Sequence, residues 1–258
     1  MNSFLVGLQF LTRIHIVRQT TWTAEDFGRS TRFFPLVGLV LGVCYALAAG
    51  LLVYTVGFLG LRTLTAALLL ILPLVLTGGL HADGFMDTAD GVFSGRERER
   101  KLAIMKDSRV GSFGVVSFVL LMFLQFSLLL DMHPFLLMPA LFVMPIIGRF
   151  AMVLAVACFS YARADGMGKT FADMADRRTV VIAALTTALL VLPCGALASA
   201  ALVLGTAFAL LVCRWLTSVL GGVTGDVYGA VTVLTETLVL AVFSLASVNP
   251  DVWGILWR

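Results

Sequence analysis

Long apolar runs separated by short polar clusters set the plan of this chain. Uninterrupted hydrophobic stretches cover residues 33–59, 64–77, 115–130, 135–159, 180–194, 196–220 and 230–248. A bilayer crossing needs about 20 apolar residues, so the pattern predicts about seven transmembrane helices, the first return span and residues 180–194 being short. Ahead of them, Phe4, Leu8 and Leu11 recur at helical spacing with Gln9 and Arg13 on the polar side, which predicts an interfacial helix within residues 1–17. The expected fold is therefore all-α: one polytopic membrane bundle over residues 1–258. Residues 1–32 form its N-terminal interfacial segment and residues 80–111 an acidic catalytic loop.

Local features refine these spans. Pro35 suits the first turn of its helix, and Gly38 with Gly42 makes a GxxxG surface for close helix packing. The fourth span holds Pro139, Pro145, Gly148 and a charged Arg149. A charge at that depth costs about 2.5–3.5 kcal/mol on an insertion scale, so Arg149 faces the bundle interior. Either it neutralises a buried acid such as Glu236, or it helps to hold a substrate anion. Residues 221–229, with four glycines and Asp226, read as a flexible polar turn before the last span.

Composition agrees with the pattern. The chain is 60% hydrophobic and only 13% charged, with a mean hydropathy of +1.00, far from soluble averages. Its net charge of +3 is small, and the basic residues gather in a few loops, which fits membrane orientation and excludes a nucleic-acid footprint. Fourteen of the 18 basic residues lie in the N-terminal segment and in loops 18–32, 80–111, 161–178 and 221–226. The positive-inside rule puts those loops in the cytoplasm. Cysteines 44, 158, 194 and 213 fall inside apolar runs without metal-like spacing and read as buried small hydrophobes. Residues 1–17 lack the basic start and small-residue end of a cleavable signal. No GxGxxG or Walker-type motif is present.

Chemistry concentrates in residues 81–114, which carry six of the 15 acidic and six of the 18 basic residues. Asp83, Asp87 and Asp90, spaced by four and three, fall on one helical face. Carboxylates at that spacing repel unless a cation lies between them. Oxygen-only ligands suit a hard cation, and Mg2+ typically takes one or two carboxylates plus substrate phosphates. A divalent-metal site on these three residues is the first expectation. Glycines at 78, 79, 84, 91 and 95 permit close backbone approach, and Lys106, Ser108 and Arg109 offer cations and a small polar residue to an anionic ligand. The RERERK run at 96–101 reads as a solvated helix face. His15 and His133 lie in exposed segments and are not expected to be ligands.

The segment GGLHADGFMDTADGVFSGRERERKLAIMKDSRVGSFG closely resembles the signature of the cobalamin synthase family, the adenosylcobinamide-GDP ribazoletransferases of late vitamin B12 assembly. FFPLVGLVLG at 33–42, YARADGMG at 161–168 and GGVTGDVYGA at 221–230 extend the resemblance, in the family's order, over nearly the whole chain. It implies transfer of adenosylcobinamide phosphate from adenosylcobinamide-GDP to alpha-ribazole or its 5'-phosphate, with release of GMP. Mg2+ on Asp83, Asp87 and Asp90 would bridge the diphosphate. An Asp carboxylate or His81 would take the proton of the attacking ribose hydroxyl, His81 serving otherwise as a cap or support. Lys106, Arg109, Arg163 and Lys169 are the cations expected on phosphate or leaving nucleotide, and Asp226 is expected to bind metal or substrate. A homo-oligomer or association with other corrinoid-pathway enzymes is compatible with the family, and the expected location is the inner membrane.

Two other classes share part of this pattern. A CDP-alcohol phosphotransferase also uses clustered Asp and Mg2+, but Thr88-Ala89-Asp90 stands where that family's AR pair would begin. A cation transporter would place acids near mid-membrane, whereas most acids here lie in or beside polar loops.

Overall fold

The computed structural model describes residues 3–17 and 23–248. Arg18, one of the basic residues counted in loop 18–32, lies outside them. Among the described residues there are twelve α-helices and no strand, only an isolated bridge between Tyr161 and Val223. They are α1 (Ser3–Leu11), α2 (Ala24–Ser30), α3 (Phe34–Leu52), α4 (Arg62–Thr77), α5 (Leu80–Phe93), α6 (Arg98–Ile104), α7 (Ser112–Asp131), α8 (Pro134–Cys158), α9 (Met167–Met174), α10 (Arg177–Val191), α11 (Ala196–Leu220) and α12 (Gly225–Ser247). The all-α expectation holds, and the chain is a multi-pass membrane protein. Among the described residues, six stretches are long and apolar enough to cross a bilayer: residues 24–57, α7, α8, residues 177–194, α11 and α12. A seventh is reached when α4 is taken with α5, which leaves it at 92°. We read α4 as the span, rising about 24 Å, and α5 as lying across the end of the bundle, outside the spans.

Helix α8 is the hub. It packs against α3, α10, α11 and α12, and 83% of its apolar window is buried, against 17% for α7. Apolar side chains such as Leu120 and Phe123 of α7 face outward, as they should toward lipid rather than water. The contact of α3 with α8 is backbone on backbone. A Cβ at Gly38 would stand 2.5 Å from Pro145 O, and one at Gly42 would overlap Phe142 O, so the GxxxG reading is confirmed. Gly148 makes room on α8 for the Glu236 side chain, whose Cγ would lie 2.7 Å from a Cβ there. Arg149, wholly buried, forms an ion pair with Glu236. Of the two readings of Arg149, the structure shows the structural pairing.

Four expectations need correction. Residues 80–111 are two helices with short connectors, because the apolar side of α5 finds partners in α7 and α12. The last span starts at Gly225 rather than 230: Thr224 caps it, its hydroxyl accepting from Val227 N–H at 3.3 Å, so residues 225–229 are helical rather than a flexible turn. Gln9 is buried, not wet, because its Oε1 accepts the Val17 N–H at 2.9 Å. Cys158, at the end of α8, is exposed.

Candidate active site

Gly78 and Gly79 adopt left-handed conformations, φ 65° and 75°, where other L-residues are strained. These two residues make the sharp turn from α4 into α5, and Gly78 also lies under the Arg13 guanidinium, which a Cβ would strike. Helix α5 then meets the start of α12 at two further glycines. A Cβ at Gly84 would sit 2.7 Å from Asp226 O, and one at Gly229 would sit 3.2 Å from His81 O. Bare backbone at both positions lets the acidic face of α5 approach Asp226.

A third piece is strapped on by the Tyr161–Val223 bridge. Ala162 N–H donates to Val223 O at 2.8 Å, and Val223 N–H donates to Ser160 O at 2.8 Å. Gly222 permits this, since a Cβ there would stand 2.6 Å from Ser160 O. The strap delivers Arg163, whose Nη2 donates to Asp226 Oδ2 at 2.9 Å, while Thr224 Oγ1 donates to the same oxygen at 3.2 Å. Arg163 Nε is buried without a partner among the described residues. The blocks 81–91, 161–168 and 221–230 thus converge at one end of the bundle. Phe34, from the fourth block, lines the same cavity. Arg62, donating to Leu130 O at 2.8 Å, marks the opposite end.

The three α5 carboxylates separate by role. Asp90 is buried, and both its oxygens are engaged: Oδ2 accepts Gly111 N–H at 2.7 Å and Oδ1 accepts Gly114 N–H at 2.8 Å. It clamps α5 to the start of α7, where a carboxylate also suits the helix dipole. Asp83 is exposed at the cavity. Asp87, half-buried, is pushed up to about 7 by desolvation and then by the charges of Asp83, Asp226 and Asp90. Such a group favours either a proton or a cation beside it. Burial, followed by the Arg149 charge, holds His81 well below the ordinary histidine range, so its imidazole is neutral, and its buried Nε2 has no partner among the described residues.

Among the described residues, no three His, Cys, Asp or Glu side chains converge closely enough to hold a metal alone. The donor set nevertheless fits Mg2+: its donors are oxygen-only acids, Asp83 lines both cavities, where phosphate oxygens and water can complete the shell, and Asp87, one turn away, is destabilised as an anion by its neighbours.

Two cavities meet at Asp83. The smaller, of about 180 Å3, is lined by Phe34, Met152, Phe171 and Tyr228 as well as His81, Asp83 and Asp226. The larger, of about 620 Å3, runs past Arg13, His15, Gly78 and Gly79. Phe10, Leu80 and Asp83 line both. The other expected ligands are not brought to either wall. Lys106 and Ser108 are exposed. Arg109 is exposed and forked onto Asp107 at 2.9 and 3.1 Å, which holds the Asp107 carboxyl down at about 2. Lys169 pairs with Asp173 at 2.7 Å. Arg98 of the RERERK run donates to Leu220 O at 2.8 Å and so caps α11. Phe10, Arg13, Phe34, Met152, Phe171 and Tyr228 line these cavities without having been singled out from the sequence. They come from five helices and the segment after α1; the signals were the place of Phe34 and Tyr228 in the resembling blocks and Arg13, a charge beside an apolar helix.

A family model described as Cobalamin-5-phosphate synthase matches residues 3–244. A protein of Desulfitobacterium hafniense named adenosylcobinamide-GDP ribazoletransferase is 41% identical over 93% of this chain and 95% of its own length. Proteins of the same name from Syntrophobacter fumaroxidans and Clostridium acetobutylicum are 41% and 35% identical, over 93% and 92% of this chain and 97% and 93% of their own. No solved structure matches. With a signature segment folded as α5, its companion blocks gathered around it, and similarity from end to end, the chain belongs to the cobalamin-5-phosphate synthase family.

Proposed function

We propose that the chain transfers adenosylcobinamide phosphate from adenosylcobinamide-GDP to alpha-ribazole or its 5'-phosphate, releasing GMP. The observation that carries this reading is one cavity lined by His81, Asp83 and Asp226, with Asp87 close enough to feel the charges of Asp83 and Asp226 and Arg163 paired to Asp226, in a chain of this family. A bond forms between a ribose oxygen and the corrinoid-side phosphorus, the bond to the GMP oxygen breaks, and the hydroxyl proton passes to a base.

Asp83 and Asp87, one turn apart on α5, are the residues that would hold Mg2+, which when bound would supply positive charge to the diphosphate oxygens. Arg163, whose Nη2 holds Asp226 beside them, is the cation assigned to the departing phosphate. Asp83, at the junction of both cavities, and His81, neutral and lining the smaller one, are the groups assigned to the acceptor hydroxyl. Asp90 contributes by holding α5 against α7. The assignment of the inner membrane, with the site end in the cytoplasm, rests on the basic residues gathered at that end.

The reading is tested by incubating the detergent-solubilised chain with adenosylcobinamide-GDP and alpha-ribazole, with Mg2+ and with a chelator. Equal yields of GMP and nucleotide-bearing corrinoid, lost on chelation, are the expected result. GMP without corrinoid product, or neither from a folded protein, contradicts it.

A further inference from the structure

Two substrates must meet in the proposed transfer, and the structure offers two cavities of different character that share Asp83. We infer that the smaller, apolar-lined cavity between α1, α3, α5, α8, α9 and α12 seats the aromatic base of the ribazole acceptor, and that the larger cavity is left to the nucleotide-activated donor. This rests on the transferase reading above.

The smaller cavity is mostly apolar, and its carboxylates come from α5 and α12 alone. Its apolar lining includes Phe34, Met152, Val156 and Phe171, all buried, and Phe171 is held in place by ring contacts at 5.2–5.8 Å with Phe10, Phe27 and Phe34. Asp83, Asp226 and the Gly168 and Gly225 backbone lie among its lining, and the carboxylates are its charged groups. Such a combination matches a molecule with an aromatic ring and ribose hydroxyls. Its volume of about 180 Å3 is a little above the roughly 150 Å3 at which an apolar protein cavity takes up benzene, so a fused benzimidazole ring fits while the sugar stays at the carboxylates. Methionine and phenylalanine walls suit a flat, polarisable ring.

Guanine fits poorly there. Its amide edge and amino group would be buried against Met152, Val156 and Phe171 without partners, which is unfavourable for each unpaired polar group. The larger cavity, of about 620 Å3, has Arg13 and the Gly78–Gly79 backbone along it and can take a phosphate-bearing ligand too large for the smaller one. Seating the acceptor ring in the smaller cavity leaves its ribose hydroxyls to the shared residue Asp83, where the two ligands must react.

The test uses the full chain in detergent, with equilibrium dialysis of radiolabelled alpha-ribazole and separate KM determinations for the two substrates. Val156→Phe overfills the apolar lining and is expected to weaken alpha-ribazole binding and raise its KM by about tenfold or more, with the KM for adenosylcobinamide-GDP unchanged. Met152→Ala removes a ring contact without overfilling the space and is expected to raise the acceptor KM by a smaller factor, which keeps the test alive if the first variant does not fold. A rise confined to the donor KM would place the guanine there and overturn the assignment. An acceptor KM indifferent to both variants would reduce the cavity to a packing void or lipid site and overturn it equally. Absence of turnover in the wild type sinks the transferase reading itself, whereas turnover with unaltered acceptor KM in the variants sinks only the seating of the ring.

Discussion

Asp87 and Asp90 stand one turn apart on α5, yet their surroundings set them different tasks. Asp90 accepts two backbone N–H groups across the 94–111 connector, and glycine is required at both partners, since a Cβ at Gly111 would overlap its carboxylate and one at Gly114 would come within 2.5 Å. Asp90→Asn keeps one acceptor oxygen and turns an amide toward the other donor, so it should lower stability by about 1–3 kcal/mol, read as a fall in melting temperature. An unchanged melting temperature would show that the clamp is not holding α5. Asp87 behaves differently. Its carboxyl is protonated in the folded chain up to about pH 7 but ionised in the unfolded chain above the ordinary carboxylate range, so without a cation its contribution to stability falls as pH rises through that window. A cation replaces the proton. The apparent affinity for Mg2+ should therefore rise by up to about tenfold per pH unit below 7 and level off above it, measured as the Mg2+-dependent shift in melting temperature; a pH-independent shift would remove Asp87 from the metal site. The carboxylate spacing was legible in the sequence because helical geometry follows directly from residue numbers. The clamp was not, because its donors are backbone groups 21 and 24 residues away, and side-chain identities do not show them.

At the scale of elements, the site depends on how closely α5 can approach α12. Gly84→Ala would drive a methyl group to 2.7 Å from Asp226 O, against backbone that cannot rotate away. Overpacking of this kind costs about 1–3 kcal/mol, and here it would also separate Asp83 and Asp87 from Asp226. Gly95→Ala is the control: nothing lies within 4 Å of its Cβ, and only its left-handed backbone is strained, by about 1–2 kcal/mol. Thermal unfolding should show both variants destabilised, while the rate of GMP release per folded molecule should fall only in Gly84→Ala; equal rates would contradict the packing account. The apolar runs located the spans, and residues 196–220 were read to their ends. The early start of α12 was missed because glycines at 225 and 229 suggested a loop, while Thr224, a good N-cap, pointed the other way. Glycine there serves close helix packing rather than chain freedom.

For the whole molecule, the buried Arg149–Glu236 pair joins the two most enclosed helices, α8 and α12. Arg149→Met would leave a carboxylate buried without its partner and should lower stability by about 3–5 kcal/mol, whereas Arg149→Met with Glu236→Met removes both charges and should recover part of the loss. An arginine that served substrate instead would leave the melting temperature of the single variant near that of the wild type. Convergence of the motif blocks at one end of the bundle followed from the number of spans between them, so it was readable from the sequence. Which cations join the site was not: Arg109 lies in the richest motif but turns to its neighbour Asp107, while Arg163 reaches Asp226 through a two-bond strap to Val223 that no periodicity reveals.

The central claim is that carboxylates of α5 hold the metal-assisted transfer of a corrinoid phosphate, and the most direct measurement is the initial rate of GMP release against Mg2+ concentration for the wild type and Asp83→Asn side by side, with melting temperature recorded on the same samples. The account predicts a rate lower by at least about a hundredfold in the variant, not restored by excess Mg2+, at a melting temperature close to that of the wild type. A wild-type rate in Asp83→Asn, or a loss of rate that merely follows a loss of fold, would contradict it.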